Sequence, residues 1–464
     1  MIYAIVGAGG KTGLMKEMAV RFRQEGKSVF VTTTTHMFAE EDTLLTEDAA
    51  VITAALRGNG YVFAGVPEGP KIKALPESVY SEVCAAADVV LVEADGSKHM
   101  PLKVPGATEP IIPDNADEIL VVCGLHGLDK PAKDVCHRLE LVKALLDITD
   151  DTVMTPHHVY RLVVEGYVKP LGKKYPQKKI TVVPRHDGSL YQRVIAAMLA
   201  AEQDPGLIRR EWFCPQPHLI ICGGGHVARE VAAMAAHLDF HTRIIDDRPE
   251  IMTPDRFPTT EEVICDSYEN IEKYLEPGAC YVVVTPDHKA DYRCVSAILG
   301  TDYRYLGMIG SRRKVAAATE KLREDGFSEE QIASMHAPIG LPIHAVTPAE
   351  IAVSILAQII QKKNETHAAS ADRQLLELRE KGMLCIIVEK HGSTPRGVGS
   401  MMFVGKDKTV GSIGGGEAEY LAISHVAETD SVTVREYHLN NKHADGLDMV
   451  CGGTIKVLFV PLEG

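Results

Sequence analysis

The sequence lacks the marks of several large classes of protein. None of its ten cysteines forms a C-x-x-C pair or shows the spacing of a zinc site, so we expect neither a disulfide framework nor a structural metal. No apolar run reaches the roughly 18 residues that a membrane-spanning helix needs. The first residues also lack the basic region and cleavage site of a signal peptide. We therefore expect a cytoplasmic protein without a membrane partner.

Positive charge is also scarce. The chain has 49 Lys and Arg residues against 63 Asp and Glu residues, which gives a formal net charge of −14. This balance disfavours nucleic acid as a partner, because such binding depends on a broad basic surface. A phosphorylated ligand would have to be held locally, and glycine-rich turns do this with backbone N–H groups at a helix N-terminus.

The length and the strand pattern predict three α/β domains. A chain of 464 residues exceeds one ordinary core, because domains of roughly 100–200 residues are typical. Polar and proline-bearing connections place the domains at 1–211, 212–363 and 364–464. We expect a P-loop-like parallel α/β domain, a Rossmann-like doubly wound domain and a smaller C-terminal α+β domain. The predicted strands are 2–6, 28–33, 89–93, 118–123 and 180–184, then 219–222, 242–245, 262–265, 280–285 and 305–309, and finally 384–389, 400–404, 431–436 and 454–460.

A first glycine loop follows the first predicted strand. Gly7, Gly9 and Gly10 precede Lys11 and Thr12, and a helical pattern comes next. In a P-loop the backbone amides wrap phosphates, the lysine neutralises them and the hydroxyl binds magnesium. The loop is short of the standard motif, and a plain strand-to-helix turn is the alternative. We predict that it binds ATP or GTP with Mg²⁺.

Two carboxylates follow the predicted strand 89–93. Glu93 ends that strand, and Asp95 lies just beyond it. In P-loop proteins a carboxylate at this position holds magnesium or a water polarised towards the terminal phosphate. We therefore predict catalytic roles for Glu93 and Asp95, with Thr12 and Asp95 as metal ligands. An acidic turn is the alternative, and the threonine run 32–35 places further hydroxyls at the same sheet edge.

Several segments of the first domain resemble the YqeC family. They are VGAGGKT (6–12), TTTTHMF (32–38), EADGSKHMPLKVP (93–105), EPIIP (109–113) and CHRLE (136–140). The resemblance implies a P-loop-like domain in an accessory protein of selenium-dependent molybdenum hydroxylases.

A second glycine loop begins a G-x-G-x-x-A motif between a predicted strand and a predicted helix. It contains Gly223, Gly225 and His226, and Asp246 ends the next strand. In a dinucleotide-binding fold these glycines approach the pyrophosphate, and an acidic residue at that strand end reads a ribose hydroxyl. We predict ligand contacts from these residues and from Asp247, with NAD(P) as one candidate. A Rossmann layer that binds no nicotinamide is the alternative.

The segments around this loop resemble the Rossmann domain of the XdhC/CoxI family, whose members are accessory factors of xanthine dehydrogenase-type enzymes. They are DDRP (246–249), TPDH (285–288), GMIGSRRK (307–314) and HAPIGL (336–341). Ser311, Arg312 and Arg313 follow a predicted strand, where they would receive an anionic group. A solvated helix start is the alternative.

The third domain resembles the other half of XdhC/CoxI proteins. GSTPRGVGSMM (392–402) and GSIGGGE (411–417) carry the resemblance, and the order of the two halves is exchanged. Arg396 and Gly415 would approach a ligand, with ordinary hairpin turns as the alternative. Cys451 matches the family's cysteine, which implies a thiolate that binds molybdenum or carries sulfur. A buried, inert cysteine is the alternative.

Together the resemblances imply an accessory factor that matures a molybdenum hydroxylase of the xanthine dehydrogenase type. It would bind the molybdenum pterin cofactor, including a dinucleotide form, and aid its sulfuration or selenation and its insertion, gated by an NTP. The implied partners are the hydroxylase apoenzyme, a sulfur or selenium donor protein and a second copy of the chain. A cofactor chaperone is favoured over an enzyme, although NTPase activity stays open. The alternatives are an NAD(P)-dependent oxidoreductase, an NTP-hydrolysing metallochaperone and a scaffold that binds no ligand.

Overall fold

The computed structural model describes residues 1–215, 218–365, 371–439 and 453–464. The chain forms two compact units. The first contains Met1–Arg209, Leu378–Arg396 and Met401–Gly464, and the second contains Arg210–Glu377 and Gly397–Ser400. The first unit therefore combines the beginning and the end of the chain.

The strands and helices are numbered in chain order. The strands are β1 Ile2–Gly7, β2 Val29–Thr33, β3 His36–Phe38, β4 Leu44–Leu45, β5 Tyr61–Glu68, β6 Lys71–Lys73, β7 Val89–Glu93, β8 Leu102–Lys103, β9 Glu118–Gly124, β10 Cys136–His137, β11 Lys179–Arg185, β12 Leu219–Cys222, β13 Thr242–Asp246, β14 Glu262–Cys265, β15 Ala279–Val283, β16 Tyr303–Met308, β17 Gly382–His391, β18 Met401–Val404, β19 Thr409–Gly411, β20 Thr433–His438 and β21 Thr454–Leu462. The helices are α1 Lys11–Gln24, α2 Ala49–Asn59, α3 Glu77–Ala86, α4 Ala132–Val135, α5 Leu139–Leu146, α6 Pro156–Val163, α7 Lys169–Lys174, α8 Leu190–Ala200, α9 His226–Ala236, α10 His288–Leu299, α11 Arg312–Glu324, α12 Glu329–Ser334, α13 Pro348–Glu365, α14 Arg373–Leu376 and α15 Gly416–Val426.

The main sheet of the first unit is built around β1. Its strand order is β11-β9-β1-β7-β2-β5-β6-β3, with β4 beside β5. Ala4, Ile5 and Val6 in β1 have no exposed surface, as expected for a parallel strand covered on both faces. Because β7 and β9 both pair with β1 in parallel, the carboxyl ends of all three strands surround the first glycine loop.

The parallel sheet predicted from sequence is confirmed at its centre and differs at one edge. β6 runs antiparallel to β5 and to β3. Only Gly69 and Pro70 separate β5 from β6, and a connection this short joins antiparallel strands, because a parallel pair needs a longer crossover. These edge strands lie away from the first glycine loop.

The second unit has the predicted doubly wound sheet. Its order is β14-β13-β12-β15-β16, and every pair is parallel. The chain reverses its direction of winding between β12 and β15. In open α/β sheets the ligand crevice lies at such a switch point, outside the carboxyl ends of the strands.

The C-terminal part of the first unit is an antiparallel sheet, as the α+β prediction required. Its order is β19-β18-β17-β21-β20. The buried Arg193 on α8 donates hydrogen bonds to the main-chain carbonyl oxygens of Leu378 and Glu463. This arginine therefore ties the first α/β layer to both ends of the C-terminal segment.

The described ranges can be searched for membrane-spanning helices and for disulfides. No helix there is long and apolar enough to cross a membrane. None of the nine cysteines in those ranges forms a disulfide, and six of them are buried within strands or α10.

Candidate functional site

The first glycine loop joins β1 to α1 and packs tightly against the end of β9. Gly9 has φ +78°, and a Cβ there would lie 2.6 Å from both the Cα of Gly124 and the carbonyl oxygen of Pro101. Glycine is therefore required by conformation and by space. No side chain caps the N-terminus of α1, so its first N–H groups remain suited to an anion.

Lys11, the first residue of α1, points inward rather than into solvent. The residue is 4% exposed. Its Nζ donates to the carbonyl oxygen of Gly7 at 2.7 Å and lies 3.1 Å from Asp95 Oδ1 and 3.7 Å from Glu93 Oε1. The lysine thus neutralises carboxylates of its own site.

Asp95 holds the glycine loop from the interior of the protein. It has no exposed surface, and its Oδ2 accepts hydrogen bonds from the Gly7 N–H and the Tyr167 hydroxyl, both at 3.0 Å. Lys103 Nζ lies 3.1 Å from the same oxygen. Burial and the adjacent carboxylate raise the pKa of Tyr167 well above its usual value, so the hydroxyl stays a proton donor. Tyr167 lies in the π-helical turn Val164–Val168, a rare element that is frequent at functional sites.

The charges continue from Asp95 through the protein to its surface. Lys103 Nζ donates to Glu109 Oε2 at 2.7 Å, and Arg138 donates to both oxygens of Glu109 at 2.6 and 2.7 Å. Burial opposes ionisation of Glu109, but these hydrogen bonds outweigh it and lower the pKa to about 2. We call Lys11, Asp95, Lys103, Glu109 and Arg138 the ion chain.

The two predicted catalytic carboxylates have different environments. Burial raises the pKa of Glu93 to about 7, with Lys11 lowering it and Asp95 raising it. Oδ2 of Asp95 is committed to the glycine loop, to Tyr167 and to Lys103, whereas its buried Oδ1 accepts no hydrogen bond and lies 3.1 Å from Lys11 Nζ. Glu93 faces Lys11 more loosely, and Thr12 is exposed in the first turn of α1. Within the described part of the chain, no group of three or more His, Cys, Asp and Glu side chains is arranged to hold a metal ion.

The threonine run at the end of β2 fixes neighbouring strand ends. The Thr33 hydroxyl donates to the Glu93 carbonyl oxygen at 2.9 Å, and the Thr34 hydroxyl donates to that of Ile111 at 2.8 Å. These hydroxyls lie at the predicted sheet edge, where they hold the backbone around Glu93.

The second glycine loop joins β12 to α9. The Gly224 N–H donates to Asp246 Oδ2 at 2.6 Å. A Cβ at Gly225 would meet no atom within 4 Å, and His226 is exposed. No side chain caps α9. The outer side of this loop is therefore open, and the predicted phosphate contact would lie on that side.

Asp246 is engaged inside the protein and does not face that open side. It has no exposed surface. Arg248 donates to both of its oxygens, at 2.8 and 2.7 Å, and the Tyr268 hydroxyl donates to Oδ2 at 2.9 Å. Burial raises the pKa of Asp246, but the Arg248 and backbone hydrogen bonds lower it to about 2 overall. Of the two aspartates predicted to contact ligand, only Asp247 is exposed.

The predicted anion-receiving segment follows β16. Ser311 caps α11, and its Oγ accepts from the Lys314 N–H at 3.4 Å. Arg312 and Arg313 are exposed and lie in the first turn of α11. Both guanidinium groups are therefore available at a helix start.

Two glycine-bearing segments of the C-terminal part meet in the first unit. A Cβ at Gly414 would lie 3.0 Å from Pro395 Cβ, and one at Gly453 would lie 2.4 Å from the Ser393 carbonyl oxygen. The segments predicted to approach a ligand are thus neighbours.

The predicted ligand contacts in these segments differ in exposure. Gly415 precedes α15, and its N–H donates to Glu419 Oε1 at 2.9 Å. Arg396 is exposed. Cys451 lies outside the described residues.

Comparison with known proteins accounts for three stretches of the chain. Residues 3–140 match the YqeC protein family, residues 219–359 match the XdhC Rossmann domain, and residues 375–437 match the XdhC and CoxI family. The uncharacterized protein YqeC of Escherichia coli (strain K12) is 32% identical over 174 residues, which cover 35% of this chain and 67% of that protein. The chain belongs to the YqeC family. The XdhC and CoxI matches follow with the Rossmann half first, as predicted from the sequence.

Two further relatives match in part. The uncharacterized protein YqeB of E. coli (strain K12) is 31% identical over 40% of this chain and 34% of its own length. A probable xanthine dehydrogenase subunit of Bacillus subtilis (strain 168) is 30% identical over 32% of this chain and 44% of its own length. The chain thus spans a third to less than half of these two relatives.

The family segments of the YqeC part converge on the ion chain. Lys11 comes from the GGKT loop, Asp95 and Lys103 from 93–105, Glu109 from 109–113 and Arg138 from 136–140. Of these five residues, only Lys11 and Asp95 were predicted from the sequence as site residues. Sequence reasoning also missed Tyr167 and, in the XdhC Rossmann part, Tyr268 and Arg248. The one available signal was the arginine two positions after Asp246.

Proposed function

We propose that this chain is an accessory factor that matures a molybdenum hydroxylase of the xanthine dehydrogenase type. The observation that carries the proposal is the joining of a YqeC segment to both XdhC/CoxI segments in one chain. The name of the B. subtilis relative supports the same enzyme class. The proposed cargo is the molybdenum pterin cofactor, and the proposed partners are the hydroxylase apoenzyme and a sulfur or selenium donor protein.

The first domain, 1–211, is the proposed site for ATP or GTP with Mg²⁺. The uncapped N-terminus of α1 and the adjacent Lys11 support phosphate binding. Phosphate would draw Lys11 from Asp95, so nucleotide binding would alter the ion chain and gate the delivery of cargo. Asp95 would then hold the loop through Oδ2, while Thr12 and the Oδ1 atom of Asp95 would face the metal, with Glu93 beside them.

The domains 212–363 and 364–464 are the proposed holders of the pterin cofactor. Gly223, Gly225 and His226 would receive its pyrophosphate, aided by Asp247. Ser311, Arg312 and Arg313 offer a further anion site. Arg396 and Gly415 would contact the ligand in the third domain, where Cys451 would supply the thiolate for molybdenum or sulfur.

The nicotinamide-dependent alternative is weaker. Reading a ribose diol requires a carboxylate with free acceptor capacity, whereas Arg248, Tyr268 and Gly224 engage both oxygens of Asp246. This arrangement speaks against ribose reading by Asp246, on which the NAD(P) alternative depends.

The proposal is tested by anaerobic purification from cells that make the molybdenum cofactor, followed by oxidation and a fluorescence assay for pterin. We expect near-stoichiometric pterin with the wild type and its loss with Cys451→Ser. The matched control is Cys265→Ser, because Cys265 is an exposed cysteine of the Rossmann part. If the wild type carries no pterin and added cofactor does not bind, the carrier proposal is wrong.

A further inference from the structure

Arg185 crosses the N-terminus of the helix that follows the first glycine loop. It ends β11, and a Cβ on Gly10 would lie 2.9 Å from Arg185 Cγ and 3.4 Å from its Nε. Gly10 also has φ +129°, so glycine is required there by conformation and by the arginine's approach. The arginine stem therefore passes directly over the turn that a P-loop offers to phosphate.

The guanidinium of Arg185 is held by one carboxylate on α1. It donates to Glu17 Oε2 at 2.8 Å and to Oε1 at 2.5 Å. The Glu17 side chain is 60% exposed, so solvent and salt screen this pair. A bidentate carboxylate has nearly the geometry of two phosphate oxygens, and the same guanidinium face can take either.

Because the lysines of the ion chain are already paired with carboxylates, binding a polyphosphate would require a further cation. Lys11 is the first of three basic side chains in the cluster, with Lys103 and Arg138. Three carboxylates, Glu93, Asp95 and Glu109, face these cations. Lys11 is buried and already lies 3.1 Å from the Asp95 carboxylate, so it brings little free positive charge to an arriving polyphosphate, whereas Arg185 is outside the cluster and can exchange its partner.

We propose that Arg185 is a second phosphate-contacting cation of the first glycine loop, held in reserve by Glu17. This rests on the proposed binding of a nucleoside triphosphate at Lys11. The ligand class is a magnesium-bound polyphosphate, and binding exchanges the Glu17 carboxylate for phosphate oxygens on Arg185.

The main alternative is a structural pin in which Arg185 and Glu17 only join β11 to α1. The two roles predict opposite effects for Glu17. A pin is lost equally with Arg185→Gln and Glu17→Gln, so both would act in the same direction. A reserved cation loses its ligand contact with Arg185→Gln, whereas Glu17→Gln removes its competitor and strengthens binding.

The test is calorimetric titration of the full-length protein with Mg·ATP, Mg·GTP and magnesium tripolyphosphate, with thermal melts beside it. Arg185→Gln should weaken binding about tenfold, the size of one lost charge-assisted hydrogen bond. Arg185→Lys should recover part of the loss, and Glu17→Gln should tighten binding about threefold. Arg21→Gln, on an exposed arginine of α1, is the matched control and should change nothing.

The outcomes separate this inference from the proposed nucleotide site. If the wild type binds none of the three probes, the nucleotide site itself is wrong, and the role of Arg185 fails with it. If Lys11→Ala abolishes binding while Arg185→Gln leaves it unchanged, only the role of Arg185 is wrong. It is also overturned if both Arg185 and Glu17 variants weaken binding, or if Arg185→Gln affects nucleotides but not tripolyphosphate, which would indicate contact with base or ribose.

Discussion

The two glycine loops of this chain are held by the same device and differ in where their charge lies. In each, a fully buried aspartate accepts a hydrogen bond from a loop N–H and another from a buried tyrosine. Asp95 does this for Gly7 with Tyr167, and Asp246 does it for Gly224 with Tyr268. A buried anion below the loop thus orders the backbone in both cases.

The difference is the source of the neutralising cation. At the first loop it is Lys11 from the loop itself, backed by Lys103 inside the protein. At the second it is Arg248, whose side chain is 35% exposed, beyond the next strand. The first loop is therefore a charged site, in which the proposed phosphate would compete with Asp95 for the lysine. The second loop has no lysine of its own, and its backbone N–H groups would face the proposed ligand.

Replacing Asp95, the aspartate that holds the first glycine loop, should have the largest effect on stability. Asp95→Asn leaves Lys11 and Lys103 without their shared carboxylate, and breaking such a buried ion pair costs about 3–5 kcal/mol. Hydrogen exchange measured by mass spectrometry on β1 and α1 should show the loss of protection, with β12 and α9 unchanged. Equal protection in the variant and the wild type would mean that the ion chain is dispensable.

Replacing Asp246, the aspartate that holds the second glycine loop, should have a smaller effect on stability. Asp246→Asn leaves Arg248 able to turn towards solvent, and the amide oxygen still accepts from Tyr268, so we expect a loss of about 1–2 kcal/mol. The single tryptophan, Trp212, is buried in the second unit, and its fluorescence follows urea unfolding there. A loss as large as that for Asp95→Asn would remove the proposed difference between the loops.

Stability should depend on pH near neutrality at the first loop only. The pKa of Glu93 is raised from 4.5 to about 7, so the folded state binds the extra proton and stability falls as pH rises from 4.5 to 7. We expect a change of at most about 3 kcal/mol, because each unit of pKa shift is worth about 1.4 kcal/mol. Asp246, with its pKa lowered from 3.8 to about 2, contributes fully above 3.8 and loses its effect only as pH falls towards 2.

Hydrogen exchange corrected for its intrinsic pH dependence checks this sign. Protection of β1 should fall across the window from 4.5 to 7, and Glu93→Gln should abolish the slope. Protection of β12 should stay level. A rise for β1 would show that the Glu93 carboxylate is stabilised as the anion.

A substitution on the open side of the second loop should have the smallest effect on stability. Gly225 has φ −70° and free space around its Cβ position, so Gly225→Val should change the free energy of unfolding by about 0.5 kcal/mol. Gly9→Ala is the contrast, because its Cβ would lie 2.6 Å from the Gly124 backbone. If the melting temperatures of these two variants agree, the loops are equally packed.

The central strands and both glycine loops were predictable because their signals are local. An apolar run, a glycine turn and a helical period mark β1 with α1 and β12 with α9. The short antiparallel strands β3 and β6 carry no such pattern. Their pairing depends on the sheet edge that β5 provides.

The side-chain contacts that hold the two loops were not predictable, because they join residues that are far apart in the sequence. Tyr167 reaches Asp95 across 72 residues, and Arg138 reaches Glu109 across 29. Asp246 has the position of a ribose-reading residue, but Arg248 folds back onto it, and sequence spacing does not distinguish these uses. The sequence indicated that a carboxylate lies near each loop, and only the fold shows which groups that carboxylate binds.

The most direct test of separate roles for the two glycine loops is to measure the binding of two ligands to one set of variants. Mg·ATP binding and bound pterin would be assayed for the wild type, Lys11→Ala, Gly225→Val and, as a control, the exposed Lys16→Ala. We predict that Lys11→Ala loses the nucleotide and keeps the pterin, and that Gly225→Val does the reverse. If either substitution abolishes both ligands without unfolding the protein, or if neither ligand depends on its own loop, the assignment of separate roles to the two loops is contradicted.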